Sequence, residues 1–240
     1  MGYFPKRVLL VQAGSAPAAM RERFGDFPDW FARHLAPRVE LTVVRPYERA
    51  LPSPSGFHGA LVTGSLASVT DPAPWMEEAG GWLVEAARTR PVLGVCFGHQ
   101  LLAWALGGRV ERNPRGREAG TVELELTTAG ERDPLFAGLP ARLLAQQTHE
   151  DHVAELPPGA TLLAGNARTP VQAYAVGDLL RCVQFHPELD AGRSRFLAEL
   201  RRARGEAAAW GDVDPAAVGE TPEATSVLAR WLERFVGATA

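Results

Sequence analysis

The sequence predicts an α/β protein built on a doubly wound, mostly parallel β-sheet. Short apolar runs bounded by glycine, proline or small polar residues recur along the chain, and segments with apolar residues at every third and fourth position lie between the first runs. This alternation is typical of parallel strands whose connecting helices cover both faces of a sheet. The predicted strands are Arg7 to Gln12, Gly59 to Thr63, Pro91 to Val95 and Arg181 to Phe185, and the predicted helices are Met20 to Leu35, Trp75 to Arg88 and Gln100 to Leu106.

The pattern changes after the predicted helix that Gly107 and Gly108 close. Four short runs follow that resemble antiparallel strands joined by turns, so we expect a small antiparallel β insertion before the last core strand. The rest of the chain is mostly helical, with a break rich in glycine, aspartate and proline at Gly211 to Pro222. We expect one domain over residues 1–240, with a core over 6–190 and a helical C-terminal extension over 191–240. The four runs are Thr121 to Thr127, Leu143 to Gln146, Thr161 to Ala164 and Val171 to Val176.

The composition argues against several classes of function. The 240 residues carry a formal net charge of −3 and contain no cluster of basic residues along the sequence. This argues against nonspecific electrostatic binding to nucleic acid or to an anionic membrane. The apolar runs are too short to span a bilayer, and the segment Met1 to Arg7 leads into a strand instead of a signal peptide, so we expect a cytoplasmic protein. Lys6 is the only lysine, which argues against a Walker-type phosphate loop or a Schiff-base mechanism.

A cysteine flanked by glycines lies where an apolar strand changes to a helical pattern. Gly94, Cys96 and Gly98 have the spacing of a nucleophile elbow, in which small neighbours allow a strained turn. The N-terminus of the following helix favours a thiolate. Two cysteines do not make a disulfide framework, so Cys96 is a candidate nucleophile and Cys182 a small core residue. The alternative is a buried Cys96 whose glycine neighbours serve packing alone.

A histidine and a carboxylate follow the last predicted strand, in the segment Gln184 to Glu188. Open α/β sheets build their active sites at the carboxyl ends of their strands. His186 can take the proton of a thiol and return it to a leaving amine, while Glu188 can fix the tautomer of the imidazole and stabilise the imidazolium. Each residue alone is also compatible with a purely structural turn. Together with Cys96, they predict a catalytic triad.

The segments Gly94 to Gln100 and Gln184 to Glu188 resemble the motifs of the class I glutamine amidotransferases, the triad-type glutaminase domains of enzymes such as GMP synthase and CTP synthase. The resemblance covers most of the chain, from the first strand to about residue 189, and implies a flavodoxin-like core. It also implies that Cys96 attacks the γ-amide of glutamine, which gives a thioester and ammonia before water releases glutamate. Neither a metal nor an organic cofactor is implied.

The resemblance also assigns an oxyanion hole. The segment Leu61 to Ser65 ends a strand where the family has its oxyanion loop, so the backbone N–H groups of Gly64 and Ser65 would act with that of Phe97. The family usually has two glycines and a proline in this loop, whereas this chain has Ser65 and Leu66 in place of a glycine and the proline. We therefore expect strain at Ser65 unless the loop changes its shape.

The segment Thr148 to Val153 resembles the Ser-His-Gly-Asp segment that lines the glutamine pocket in this family. By that resemblance His149 and its neighbouring backbone would hold the α-amino acid end of the substrate, with Gln100 nearby. A metal site is the alternative, because four potential ligands follow one another. The spacing argues against a metal, because His149 and His152 are three positions apart and do not form a His-Glu-x-x-His arrangement.

The sequence leaves more than one function open for this fold. The chain lacks the length and the phosphate loops of an ATP-binding synthetase half, so we expect a standalone member of the family. Such a member is either a subunit that delivers ammonia to a separate synthetase subunit or a free hydrolase of glutamine, γ-glutamyl amides or γ-glutamyl peptides. The third possibility is a non-catalytic binding or regulatory protein. A role of that kind does not explain why Cys96, His186 and Glu188 occur together.

Overall fold

The central feature of the fold is one twisted sheet with helices on both faces. The computed structural model describes residues 5–36, 38–206, 209 and 212–237. The elements in chain order are β1 (Lys6–Val11), α1 (Ala18–Phe24), α2 (Phe27–Leu35), β2 (Val39–Val44), β3 (Gly59–Val62), α3 (Pro74–Ala86), β4 (Val92–Val95), α4 (Phe97–Ala105), β5 (Arg109–Arg112), β6 (Glu118–Leu126), α5 (Thr128–Arg132), β7 (Arg142–His149), β8 (Asp151–Glu155), β9 (Ala160–Gly165), β10 (Ala173–Val176), β11 (Leu180–Val183), α6 (Ala191–Ala203) and α7 (Pro222–Trp231).

The predicted α/β class with its doubly wound parallel core is confirmed. Strands β2, β1, β3, β4 and β11 lie side by side in that order, and each adjacent pair is parallel. Strands β1, β3, β4 and β11 consist largely of buried apolar residues, because helices cover both faces of this half of the sheet. The carboxyl ends of these strands therefore meet at one edge, which is where such sheets carry their sites.

The strands predicted as an insertion extend this sheet. Beyond β11 the sheet continues through β10, β9, β6 and β7 with antiparallel pairing, which gives nine strands in the described part of the chain. A separate antiparallel pair is formed by β5 and β8. The sequence did not predict β2, β5 or β8, because these strands are short and only partly buried. Apolar alternation identifies a strand, but it does not identify the neighbour that the strand pairs with.

The predicted helix from Met20 to Leu35 is two helices. Gly25 has a φ of 78°, which ends α1. The side chain of Asp26 then caps α2 by accepting a hydrogen bond from the backbone of Phe27, while the backbone of Asp26 donates to Asp29. The apolar spacing continues across this break because both helices supply residues to the same hydrophobic cluster. Helix α4 also begins earlier than predicted, directly after the cysteine of the elbow.

Two large hydrophobic clusters lie on opposite faces of the sheet. Alternate residues of β1 divide between them, with Leu10 in the cluster that α2 and α7 cover and Leu9 in the cluster that α3 and α4 cover. Trp231 of α7 is fully buried, so this C-terminal helix supplies core residues to the first face. Parts of the predicted domain and of its C-terminal extension lie outside the described residues, namely 1–4, 37, 207, 208, 210, Gly211 at the start of the predicted break, and 238–240.

Helices in the described ranges are too short or too polar to cross a membrane.

Candidate active site

Cys96 lies in a strained turn at the carboxyl edge of the sheet. β4 ends at Val95 and α4 begins at Phe97, and Cys96 between them has a φ of 52° and a ψ of −103°. No other described residue except glycine has a positive φ. A side chain held in such a backbone conformation costs about 1–3 kcal/mol, so the surrounding structure must impose it.

The two glycines of the elbow provide the space that this turn needs. A Cβ atom on Gly98 would lie 2.6 Å from the backbone oxygen of Val62, and a Cβ atom on Gly94 would lie 2.8 Å from the backbone oxygen of Gly98. Both distances are shorter than van der Waals contact. The glycines therefore allow α4 to start against β3 and β4, which fixes the direction of the Cys96 side chain.

Replacing Gly98 by alanine is expected to lower the free energy of unfolding by about 1–3 kcal/mol, because the new methyl group would overlap the backbone of Val62. Gly81 is a matched control in α3, since a Cβ atom there meets nothing within 4 Å. Gly81→Ala is expected to raise the free energy of unfolding by about 0.5–1 kcal/mol. Urea unfolding of both variants measures the difference, and equal effects would contradict the packing argument.

His186 and Glu188 follow β11, the strand next to β4. Parallel pairing puts Val183 opposite Val95, and the backbone N–H of Cys96 donates to the backbone oxygen of Val183 over 2.9 Å. This pairing brings the two segments to the same edge of the sheet. Nδ1 of His186 donates to Oε1 of Glu188 over 2.6 Å, and both side chains are buried. Because a carboxylate only accepts, the Nδ1 proton is fixed and Nε2 is the nitrogen left to act on another group.

The electrostatics of His186 favour its charged form. Burial lowers the pKa of His186, but the negative charges of Glu188 and Cys96 outweigh that effect, so the pKa lies well above its usual value of 6.5. A hydrogen bond with the side chain of Cys96 also raises this pKa, and it belongs to Nε2 because Glu188 holds Nδ1. The arrangement can therefore hold an imidazolium beside the sulfur of Cys96 and can move a proton through Nε2.

The loop after β3 lies beside both residues. A Cβ atom on Gly64 would be 3.1 Å from Cε1 of His186 and 3.9 Å from Sγ of Cys96. Within the described residues, no turn or loop hydrogen bond uses the backbone N–H of Gly64, Ser65 or Phe97. The strain expected at Ser65 is absent, because its φ is not positive and its hydroxyl accepts a hydrogen bond from the backbone of Ala67 over 3.0 Å. The loop has thus taken a shape that fits serine.

A polar cavity of about 280 Å³ opens from Cys96 and includes both residues predicted to bind substrate. Nε2 of Gln100 donates to the backbone oxygen of Asp151 over 2.8 Å and to Gln184 over 3.1 Å. Nδ1 of His149 donates to the same backbone oxygen over 2.9 Å. Gln100 and His149 therefore hold the backbone of the segment that lines this cavity, and their roles in substrate binding stay a prediction.

Glu118 is a buried carboxylate that supports the His149 side of the polar cavity, and its role could not be recognised in the sequence. Oε2 of Glu118 accepts from Nε2 of His149 over 3.1 Å and from Gln172 over 2.6 Å, while Oε1 accepts from Asn166 over 2.8 Å. Burial raises the pKa of Glu118, but the hydrogen bond and charge of His149 and further hydrogen bonds lower it below its usual value. Both ring nitrogens of His149 are therefore engaged, one by the backbone of Asp151 and one by Glu118.

His99 belongs to the same motif as Cys96, yet it lies away from the cavities around Cys96. Its ring is fully buried and its centroid is 4.9 Å from that of Tyr174. Burial and the charge of His149 lower the pKa of His99 to about 3, so the ring stays neutral. In the described ranges, no group of three or more histidine, cysteine or acidic side chains is arranged to hold a metal ion, including the run from His149 to His152.

Comparison with known proteins identifies the family. The family model of class I glutamine amidotransferases matches residues 27–198. The chain belongs to the class I glutamine amidotransferase family. Two solved structures support the same fold for this amidotransferase. A glutamine amidotransferase from Thermotoga maritima has a TM-score of 0.75 at 22% identity over 98% of this chain and 100% of that chain. One from Methylobacillus flagellatus has a TM-score of 0.71 at 25% identity over 96% and 95%.

The relatives of this amidotransferase carry two kinds of name. The chain is 42% identical over 132 residues to the glutamine-hydrolysing GMP synthase of Thermomicrobium roseum, which covers 55% of the chain and 23% of the relative. It is 43% identical over 100 residues to one subunit of the glutamine-hydrolysing GMP synthase of Thermococcus kodakarensis, covering 41% and 51%. It is 31% identical over 140 residues to γ-glutamyl peptidase 3 of Arabidopsis thaliana, covering 55% of each. The matches thus span about half or less of these relatives.

Proposed function

We propose that this amidotransferase hydrolyses the γ-amide of glutamine or of a related γ-glutamyl compound through a triad of Cys96, His186 and Glu188. The observation that carries the proposal is the strained turn that presents Cys96 beside an imidazole held by a buried carboxylate. The family and its relatives, named as glutamine-hydrolysing enzymes and γ-glutamyl peptidases, support the same reaction class.

The proposed reaction has two halves. Sγ of Cys96 attacks the γ-carbonyl carbon, and the resulting oxyanion faces the N–H groups of Gly64, Ser65 and Phe97, where loss of one donor typically costs about 3–4 kcal/mol. The C–N bond breaks as Nε2 of His186 gives a proton to the leaving nitrogen, which leaves a γ-glutamyl thioester. His186 then takes a proton from water, whose oxygen attacks the thioester, and glutamate leaves as the thiol is restored.

The polar cavity is the proposed site for the α-amino acid end of the substrate. Its volume of about 280 Å³ is enough for a glutamyl group, and its walls include hydroxyl, carboxylate and guanidinium groups. The backbone segment that Gln100 and His149 hold supplies hydrogen bonds of fixed direction to that end of the substrate.

Two versions of the activity are supported by different relatives. Those named as one subunit of a glutamine-hydrolysing GMP synthase support a role in which the chain passes ammonia to a separate synthetase subunit. Those named γ-glutamyl peptidase support a free hydrolase. A steady-state comparison of glutamine with γ-glutamyl dipeptides on the isolated chain separates the two. Turnover of the dipeptides supports the free hydrolase, whereas glutamine turnover that requires an added synthetase subunit supports the first version.

A glutamine analogue with a chloromethyl ketone in place of the amide is expected to alkylate the sulfur of Cys96, with loss of chloride, and to spare Cys182. Burial raises the pKa of the Cys182 thiol to about 12, and its side chain is fully enclosed. Peptide mapping by mass spectrometry locates the label, and Cys182→Ala is the matched control that should keep full labelling. Label on Cys182 with none on Cys96 would reverse the choice of nucleophile.

A further inference from the structure

A second cavity, different in character from the polar one, also opens at Cys96, and Ser65, Leu66, Cys96 and Thr148 line both cavities. It measures about 50 Å³, and both Cys96 and His186 lie in its wall, whereas His186 does not border the polar cavity. Most of its lining is apolar. The apolar residues are Pro17, Met20, Phe27, Trp30, Leu66, Leu189 and Leu197. Cys96 therefore borders one polar and one mostly apolar compartment.

The position of His186 decides which part of the substrate faces the apolar side. The group that protonates the leaving nitrogen must lie within hydrogen-bond reach of it. Nε2 of His186 is the nitrogen available for that transfer, because Glu188 holds Nδ1. With the glutamyl group in the polar cavity, any substituent on the leaving nitrogen points toward the apolar walls.

We infer that the apolar cavity binds the leaving amine, and that the protein cleaves γ-glutamyl N-alkylamides with short alkyl groups. This inference rests on the proposed function and specifies its substrate class. Hydrolysis gives glutamate and the alkylamine. The hydroxyl of one water molecule goes to the γ-carboxyl group of glutamate, and its proton goes to the amine. Ammonia gains nothing from seven apolar side chains, whereas an alkyl group does. A volume of about 50 Å³ holds roughly two water-sized groups, which sets the preferred length at about one to three carbons.

Charge in the same cavity excludes a second amine on the leaving group. Arg201 of α6 lines the cavity and donates from Nη2 to the hydroxyl of Thr148 over 2.8 Å. A cationic substituent would meet this guanidinium among mostly apolar walls, and the residues that line the cavity include no carboxylate to pair with it. Burying a charge without a partner is strongly unfavourable. The site thus discriminates between an alkyl chain and an aminoalkyl chain of the same length.

The apolar wall is a separate packing unit, which we call the helical cover: Ala16, Met20, Phe27, Trp30, Leu189 and Leu197. It is distinct from the two clusters on the faces of the sheet. Asp26 anchors it, because Oδ1 accepts from the backbone of Ala16 over 2.8 Å and Oδ2 accepts from Gln12 over 3.1 Å. Substitutions in the helical cover can therefore alter the cavity without removing side chains from the core of the sheet.

The test measures kcat/KM for glutamine and for its γ-N-methyl, ethyl, n-butyl and 2-aminoethyl amides. The ethylamide is expected to match or exceed glutamine, and the n-butyl and 2-aminoethyl amides to fall at least about tenfold below the ethylamide. Met20→Ala enlarges the cavity and should raise the butyl-to-ethyl ratio about fivefold or more. Met76→Ala, an equally buried methionine in α3, should leave that ratio unchanged.

The outcomes separate this inference from the proposed function. Cys96-dependent hydrolysis of glutamine without hydrolysis of any alkylamide overturns the inference and leaves the proposed function standing. An aminoethyl amide as good as the ethylamide, or a butyl-to-ethyl ratio that Met20→Ala does not change, also overturns it. Hydrolysis of no γ-glutamyl compound, with or without a synthetase subunit, overturns the proposed function itself. The expected order of the amides, together with a higher butyl-to-ethyl ratio in Met20→Ala, supports both the proposed function and this inference.

Discussion

Replacing Cys96 by alanine is expected to reduce hydrolysis of every γ-glutamyl substrate by at least about 10⁴-fold, because no thioester can form without the sulfur. The variant should fold normally. Alanine keeps the Cβ atom at the same φ of 52°, so the strain of the turn is unchanged, and only one buried sulfur is lost. Steady-state release of glutamate measures the effect, and thermal unfolding shows that the fold is retained.

Two further variants make this result specific. Cys182→Ala removes the other buried cysteine from the neighbouring strand and should retain activity within a factor of a few. Cys96→Gly should lose activity equally. Because glycine adopts a positive φ without strain, this variant should be more stable than Cys96→Ala, by about 1 kcal/mol in the free energy of unfolding. Full glutaminase activity in Cys96→Ala would rule out Cys96 as the nucleophile, since no other residue in the proposed mechanism can form the acyl intermediate.

The elbow was predictable because its signals are local. A positive φ at Cys96 and close contacts at Gly94 and Gly98 follow from a strand, a tight turn and a helix within a few residues of sequence. The pair of His186 and Glu188 was predictable for a similar reason, since both follow directly the strand that pairs with β4. Their roles in catalysis stay predictions that the variants proposed here would test.

The supporting residues could not be predicted, because their environment depends on distant segments. Glu118 lies in an alternating strand with other carboxylates, where a sequence pattern indicates a solvent-exposed side chain. Pairing with β7 instead buries it against His149, and Asn166 and Gln172 complete its hydrogen bonds. A strand pattern specifies which residues share a face, but it does not specify which face the rest of the chain covers.

The apolar side of the site was missed for the same reason. Met20 and Trp30 appear in the sequence as ordinary core positions of one long helix. The break at Gly25 and the cap at Asp26 turn the two halves so that both contact the region around Cys96, where α6 completes the wall with Leu197. Two regions far apart in sequence, the pair α1 and α2 and the helix α6, thus contribute to a cavity that no single motif encodes.

Replacing Glu188 by glutamine is expected to lower kcat/KM about 10³–10⁴-fold while preserving the shape of the site. The amide lacks the negative charge that raises the pKa of His186 against the effect of burial, so this pKa should fall from well above 6.5. NMR of histidine-labelled protein measures this pKa. Asp133→Asn is the matched control, since it neutralises another buried carboxylate, paired with Arg181 over 2.8 Å, away from the site.

The same substitution also changes how stability depends on pH. His186 has a folded-state pKa above its unfolded value, so its stabilising contribution is fully present below about pH 6.5 and is lost as the pH rises through the folded-state pKa. In Glu188→Gln this loss of stability at high pH should largely disappear, because the pKa of His186 is no longer raised. In Asp133→Asn the same loss of stability should remain. An unchanged His186 pKa in Glu188→Gln would show that the carboxylate does not maintain the imidazolium, and the orienting role proposed for Glu188 would then fail.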